Sequence, residues 1–160
     1  MTTAPDTLVI GLGNEFRGDD GVGRVVARRL REAAMPGVTV REESGEGAAL
    51  MDAWKDAAAV ILVDAVQSGA APGTIHRLDA TRTPVPSRFF HYSTHAFSVA
   101  EAVELARALG QLPPRLILYG IEGRDFTAGE RLSREVAAAV DELLPRIMQE
   151  IQSVNANLNP

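Results

Sequence analysis

Residues 8–23 read LVIGLGNEFRGDDGVG and contain the features that decide the fold. The first five residues are a short apolar run, which is typical of a buried strand. From position 20 to position 34 the apolar residues recur at helical spacing, so we predict a helix there. A buried strand that leads through a glycine-containing turn into a helix indicates an α/β fold.

The rest of the chain repeats this alternation of apolar runs and amphipathic stretches. The run at 59–63 is continuous and β-branched, which is typical of a buried strand. The turn at 71–73 lies close enough to the next run for that strand to be antiparallel. The pattern predicts a layered α/β sandwich with a mostly parallel, twisted sheet. Further strands are predicted at 38–41, 74–78 and 116–121, and further helices at 48–54, 98–110 and 132–151.

Two of the predicted helices carry specific local signals. Ser98 and Glu101 have the spacing of a capping box, although Ser93 or Thr94 would start the same helix one turn earlier. Pro145 lies inside the last predicted helix, which we expect it to kink.

The size and composition are those of one globular domain. The chain has 160 residues, 46% hydrophobic and 23% charged, so we predict a single domain over residues 1–160 with frayed ends at 1–6 and 153–160. The net charge of −5 argues against nucleic-acid binding. The lack of cysteine excludes disulfides, thiolate nucleophiles and Cys-ligated metals. No signal peptide or membrane span is recognisable, which predicts a cytoplasmic protein without membrane contact.

The turn Gly11-Leu12-Gly13-Asn14 has the position of a phosphate-binding loop, between a strand and a helix. A dinucleotide-binding fingerprint requires a third glycine at position 16, where this chain has Phe16. The two glycines are therefore expected to permit a tight turn after the strand. Nucleotide binding remains an alternative that a cofactor titration would test.

Two acidic side chains are expected at one edge of the sheet. Asp19 and Asp20 stand at a helix start, where one carboxylate can cap the helix and the other is left to bind a cation. Asp64 ends the most apolar strand. Because parallel strands end at the same edge of a sheet, Asp20 and Asp64 should be neighbours. The alternatives are structural: a helix cap at Asp20 and a solvated strand-end carboxylate at Asp64.

Three histidines are candidates for a nitrogen ligand. His76 lies in a predicted strand and is expected at the surface, whereas His91 and His95 end the long segment 80–94. The last two would face one cation only if their segment were helical, so we do not predict a paired site. Two carboxylates and one imidazole at one edge would suit a transition metal, without choosing among nickel, zinc and manganese.

Several short segments follow one another in a fixed order: Gly11-Leu12-Gly13-Asn14 with Gly18-Asp19-Asp20-Gly21-Val22-Gly23, then Val63-Asp64-Ala65, Pro72-Gly73-Thr74 and Ser93-Thr94-His95. Together they resemble the motifs of the [NiFe]-hydrogenase maturation endopeptidases. The match extends from residue 8 to residue 144, and its first motif is the most specific. The resemblance implies a three-layer α/β/α sandwich.

The resemblance also implies a function and a metal site. It implies an endopeptidase that removes the C-terminal extension of the hydrogenase large-subunit precursor after nickel insertion. Asp20, Asp64 and His95 would coordinate the metal and serve catalysis. The metal would be nickel supplied by the substrate, although another divalent ion could substitute. It would polarise the scissile carbonyl, acidify a bound water or only anchor the precursor.

The sequence departs from the family pattern before the second helix. Members often carry an aspartate followed by two glycines, where this chain reads Glu43-Ser44-Gly45-Glu46-Gly47. Glu43 is our candidate for the corresponding carboxylate and for a general base.

Two other functions are alternatives. A non-proteolytic nickel-binding assembly factor for hydrogenase would keep the ligands and leave the precursor uncut. Peptidyl-tRNA hydrolases also begin with a strand and Gly-Leu-Gly-Asn, but they continue with proline at the position of Glu15 and carry a basic surface. The oligomeric state stays open.

Aromatic residues are concentrated next to His95. Phe89, Phe90, Tyr92 and Phe97 fall within one short region of a chain that is only 5% aromatic. They suit either a docking patch for the large subunit or a satellite core cluster beneath the long loop.

Overall fold

The computed structural model describes residues 7–90 and 95–158. Within these residues the chain alternates strands and helices, as the sequence predicted. The strands are β1 (Thr7–Leu12), β2 (Val38–Glu43), β3 (Ala59–Val66), β4 (Ile75–Asp79) and β5 (Arg115–Glu122). The helices are α1 (Val22–Ala33), α2 (Gly47–Ala53), α3 (Val99–Ala108) and α4 (Arg134–Leu158), with short 3-10 helices at Gly18–Gly21 and Ser87–Phe90.

The described strands form one sheet in the order β2-β1-β3-β5-β4. The first four of these run parallel to one another, and β4 pairs antiparallel with β5, which confirms the prediction for the strand after Gly73. The chain passes from β1 to β2 on one side and returns to β3 on the other side. The carboxyl ends of β1 and β3 therefore flank the switch point of the sheet, where α/β proteins bind ligands.

Helices cover both faces of the sheet and make the predicted three-layer α/β/α sandwich. Successive strand residues point to opposite faces, so Leu62 packs with α2 and α3 whereas Ile61 and Val63 pack with α1 and α4. β3 is buried along its whole length. This double coverage explains why the run at 59–63 is continuously apolar.

Two glycines allow α1 to approach the sheet at backbone distance. A methyl group on Gly11 would overlap the carbonyl oxygen of Gly23, and one on Gly23 would overlap the carbonyl oxygens of Leu12 and Val63. The start of α1 is therefore held directly over the ends of β1 and β3.

Several boundaries differ from the prediction. The predicted helix at 20–34 begins as a 3-10 turn, and its α-helical part starts at Val22. The capping box of Ser98 and Glu101 is present, and α3 starts at Val99; Ser93 and Thr94 lie outside the described residues.

The last helix is longer than its apolar stripe predicted. α4 continues past Pro145 to Leu158, and Val154 is buried, so residues 153–158 of the predicted frayed tail are helical. Residues 1–6 and 159–160 lie outside the described part of the chain. None of the helices described is long and apolar enough to cross a membrane.

Glu150 links α4 to the sheet through hydrogen bonds. Its Oε1 accepts hydrogen bonds from Arg77 Nε at 2.7 Å and from the Tyr119 hydroxyl at 2.8 Å. Burial opposes the charge of Glu150, but the bonds from Arg77 and Tyr119 outweigh it and lower the pKa of the carboxyl. Burial, together with the bond to Glu150, raises the pKa of Tyr119 to about 12.

We predict that Glu150→Gln lowers the free energy of unfolding by about 2 kcal/mol at pH 7, because it weakens bonds to a charged acceptor. Since the folded pKa of Glu150 is depressed, this contribution is complete above the ordinary pKa of 4.5 and is lost as the pH falls through the folded value. Urea unfolding from pH 3 to pH 7 measures the difference.

The matched control is Glu142→Gln. Glu142 pairs with Arg146 on the exposed side of α4, where its side chain is 60% exposed. A surface pair of this kind contributes little, so this variant should unfold within about 0.5 kcal/mol of the wild type. Equal effects of the two substitutions at pH 7 would contradict the role given to Glu150.

Candidate active site

One cavity opens at the carboxyl edge of the sheet, at the switch point between β1 and β3. Its volume is about 240 Å³. Asp20, Asp64 and His95 all line it, so the fold brings the three predicted ligands to one place from three distant parts of the sequence.

Asp20 reaches the cavity from the 3-10 turn that precedes α1. Asp20 can lie here only because residue 13 is a glycine: a side chain at position 13 would overlap the backbone carbonyl of Asp20. The Asn14 backbone N–H donates to Asp20 Oδ2 at 2.9 Å. Burial raises the pKa of Asp20, against the opposing effects of the Asn14 hydrogen bond and of the nearby Arg17 guanidinium.

Asp64 lies inside β3, two residues before its end, with 8% of its surface exposed. The alternative of a solvated strand-end carboxylate is therefore wrong. Its Oδ1 accepts a hydrogen bond from the Ala65 N–H at 2.8 Å. Burial, followed by the negative charge of Asp20, raises the pKa of Asp64 well above its ordinary value. The two carboxylates thus repel each other across the same cavity.

His95 is half-buried in the segment that leads into α3. A Cβ at Gly45 would lie 4.0 Å from His95 Cδ2, so the imidazole packs beside a glycine with a positive φ of 100°. The Gly47 N–H donates to the Phe97 carbonyl at 2.8 Å and ties this segment to the start of α2. The predicted partner His91 lies outside the described residues.

The donor set has the chemistry of a transition-metal site, with two carboxylates and an imidazole. Burial and then the charge of Asp20 raise the pKa of Asp64, and a cation between the two carboxylates would offset both effects. Across residues 7–90 and 95–158, however, no three acidic or histidine side chains are arranged to hold one ion as they stand. Binding therefore requires some side chains to turn towards the ion.

Glu43 is not among the residues that line this cavity. It ends β2, and its Oε1 accepts a hydrogen bond from Arg41 Nη2 at 2.9 Å. Its backbone carbonyl accepts the Gly13 N–H at 3.2 Å, which fastens the turn after β1. Glu46 caps α2 by accepting the backbone N–H groups of residues 48 and 49.

Asp19 has a structural role that differs from the predicted helix cap. Neither Asp19 nor Asp20 caps a helix with its side chain. The fully buried Asp19 carboxylate instead accepts the backbone N–H groups of Arg124, Asp125 and Ser133, and the Ser133 hydroxyl, at 2.7–2.9 Å. It joins the turn that carries Asp20 to the loop between β5 and α4.

The cavity has further walls that sequence reasoning did not identify: Phe16, Arg24, Gln67 and Phe126. The sequence gives a weak indication of Arg24, since this residue lies one helical turn after Asp20. The sequence gives no indication of Phe126, because only the fold brings the β5–α4 loop to this edge. Phe16 is 58% exposed at the mouth, which makes it a large apolar contact available to a partner.

The aromatic cluster predicted beside His95 divides into separate parts. Phe97 packs against Gly47 and the core between the sheet and α2 and α3. Phe89 lines the cavity. Tyr92 and the side chain of Phe90 lie outside the part of the chain that the structure describes. The docking patch therefore stays a hypothesis for Phe89, and Phe97 belongs to the core.

The adjacent aspartates provide a matched pair of variants. We predict that Asp19→Ala lowers the free energy of unfolding by at least about 3 kcal/mol, because it leaves several buried donors without an acceptor. Asp20→Ala should change it by less than about 1 kcal/mol, since one hydrogen bond is lost while repulsion with Asp64 is relieved. Denaturant unfolding measures both; equal losses would contradict this division of roles.

Comparison with known proteins agrees with the motifs. The family profile of HycI, hydrogenase maturation protease, matches residues 24–150. A protein of Methanocaldococcus jannaschii with a provisional designation as a hydrogenase maturation protease is 34% identical over 155 residues, 92% of this chain and 97% of that protein. The hydrogenase expression/formation protein HupD of Thiocapsa roseopersicina is 32% identical over 124 residues, 76% of this chain and 56% of that protein.

Solved structures share the fold. The hydrogenase maturating endopeptidase HybD of Escherichia coli superposes with a TM-score of 0.74 at 22% identity, covering 92% of both chains. The [NiFe] hydrogenase maturation protease HycI of Thermococcus kodakarensis gives 0.69 at 24% identity, covering 91% of this chain and 92% of that one. The profile match over most of the chain and the archaeal relative matched along nearly its whole length show that this protein belongs to the hydrogenase maturation protease family.

Proposed function

We propose that this protein is an endopeptidase that removes the C-terminal extension from the precursor of a [NiFe]-hydrogenase large subunit after nickel insertion. Family membership supports the reaction class and the substrate. The observation that carries the proposal is the joint lining of one cavity by Asp20, Asp64 and His95.

Nickel enters this proposal as part of the substrate. Asp20 and Asp64 supply hard oxygen donors and His95 supplies a nitrogen donor, a set that suits nickel or another divalent ion. A nickel ion held there would act as a Lewis acid on the scissile carbonyl or would anchor the precursor at the cavity.

The electrostatics of the cavity support recognition of a metallated precursor. Burial and the negative charge of Asp20 both disfavour the ionised form of Asp64, so a bound cation is favoured over an uncharged ligand. A precursor without nickel would lack this cation. The protein would thereby discriminate between precursors before and after nickel insertion.

The dimensions suit a short stretch of polypeptide. About 240 Å³ is below the roughly 300–1,000 Å³ of typical drug-sized ligand sites, which leaves space for an ion and a few residues of chain. The bulk of the precursor would therefore remain outside, against the rim where Phe16 is exposed.

Glu43 stays our candidate for a general base. To act on a substrate in the cavity, its carboxylate would have to leave Arg41. Cleavage by a Glu43→Gln variant at the wild-type rate would exclude this role and leave the proton transfers to residues that line the cavity.

The test combines purified protein with nickel-loaded precursor and weighs the products by mass spectrometry. We expect Asp20→Ala, Asp64→Ala and His95→Ala to lower the cleavage rate at least about 100-fold, the usual size of a lost catalytic interaction. The control is Asp141→Ala, an aspartate on α4 whose side chain is 72% exposed; this variant should cleave normally.

Two results would overturn the proposal in different ways. Normal cleavage by both Asp20→Ala and His95→Ala would show that the metal site is assigned wrongly. Binding of the precursor by the wild type without any cleavage would favour the non-proteolytic assembly factor instead.

A further inference from the structure

We propose that Gln67 is a substrate-binding residue, whose side-chain carbonyl accepts a hydrogen bond from a backbone N–H of the precursor segment in the cavity. This inference rests on the proposed function, and it assigns a role to a residue that none of the sequence motifs contains.

Gln67 follows β3 directly and lies three residues after Asp64. It lines the same cavity as Asp20, Asp64 and His95. Its backbone N–H donates to the Phe89 carbonyl at 3.1 Å, so this donor is already engaged. The side chain offers a further polar group to a ligand in the cavity.

The Gln67 side-chain oxygen is buried and, among the residues described, has no hydrogen-bond partner. A buried carbonyl without a donor is costly, and native structures contain few. The other buried side-chain atoms in this condition, Arg115 Nε and Glu135 Oε2, belong to residues that do not line the cavity. Gln67 thus has an unsatisfied acceptor in a side chain that lines the candidate active site, and a turn of that side chain would bring the oxygen into the cavity.

A buried carboxylate holds the segment that carries Gln67. Glu122, only 1% exposed, accepts hydrogen bonds from the backbone N–H of Ser68 at 2.8 Å and from its hydroxyl at 2.6 Å. It also contacts His76 Nε2 at 3.2 Å, so His76 belongs to this cluster while 23% of its side chain stays exposed. The Gly123 N–H donates to the Val66 carbonyl at 2.9 Å. These bonds fix the position of Gln67 before a ligand arrives, as a specific site requires.

The surroundings select the chemistry of the partner. The carboxylates of Asp20 and Asp64 make the cavity rich in acceptors, so an incoming group that donates a hydrogen bond is favoured over one that accepts. The Phe89 and Phe126 rings add apolar walls. An extended polypeptide presents backbone N–H donors for the acceptors and side chains for the rings, so it meets both conditions.

The test compares Gln67→Met with the wild type. Methionine keeps an unbranched chain of similar length and lacks the carbonyl. We expect KM for cleavage of the nickel-loaded precursor to rise about 3- to 10-fold, the effect of one lost neutral hydrogen bond, with kcat nearly unchanged. The Tm should stay the same or rise, because the substitution removes a buried unsatisfied oxygen.

The matched control is Gln111→Met. Gln111 is exposed and lies before β5, at the opposite edge of the sheet. This variant should leave KM, kcat and Tm unchanged.

The outcomes separate this inference from the proposed function. Unchanged KM in Gln67→Met beside an active wild type would overturn the inference alone, as would a fall in Tm, which would indicate a structural role or a water-filled site. If the wild type binds precursor without cutting it, the cleavage proposal fails. A 3- to 10-fold weaker Kd in Gln67→Met would then still support Gln67 as a binding residue, and an equal Kd would overturn it.

Discussion

The candidate active site depends on the close packing of α1 against the sheet. Gly11 and Gly23 lack side chains, so the helix backbone lies directly on β1 and β3. The 3-10 turn that begins this helix is thereby held at the carboxyl end of the two central strands, and Asp20 shares a cavity with Asp64. A side chain at either glycine would push the helix outward and separate the carboxylates.

This geometry has an electrostatic cost for the isolated protein. Asp64 is buried beside a second carboxylate, and both effects raise its pKa. A purely structural site would pair such a group with a cationic side chain or replace it with an apolar one. Unfavourable burial of like charges is instead a frequent property of functional sites, since the ligand supplies the missing interaction.

Local signals predicted most of the fold, because strands, helices and their caps depend on neighbouring residues. Asp20 and Asp64 could be paired from sequence, since the shared edge of parallel strands relates distant segments. The prediction that His95 is a ligand came from the family resemblance, because nothing in its own segment indicates this role. The contacts of Gln67 and Asp19 could not be predicted, because their partners lie from about 20 to more than 100 residues away in the sequence. Periodicity and motif spacing describe only neighbouring residues.

The buried carboxylate of Asp19 couples two surfaces of the molecule. Because it is hydrogen-bonded to the backbone at positions 124, 125 and 133, it holds the β5–α4 loop against the turn that carries Asp20. Asp20 is the next residue along the chain, so its place in the cavity depends on the β5–α4 loop as well as on α1.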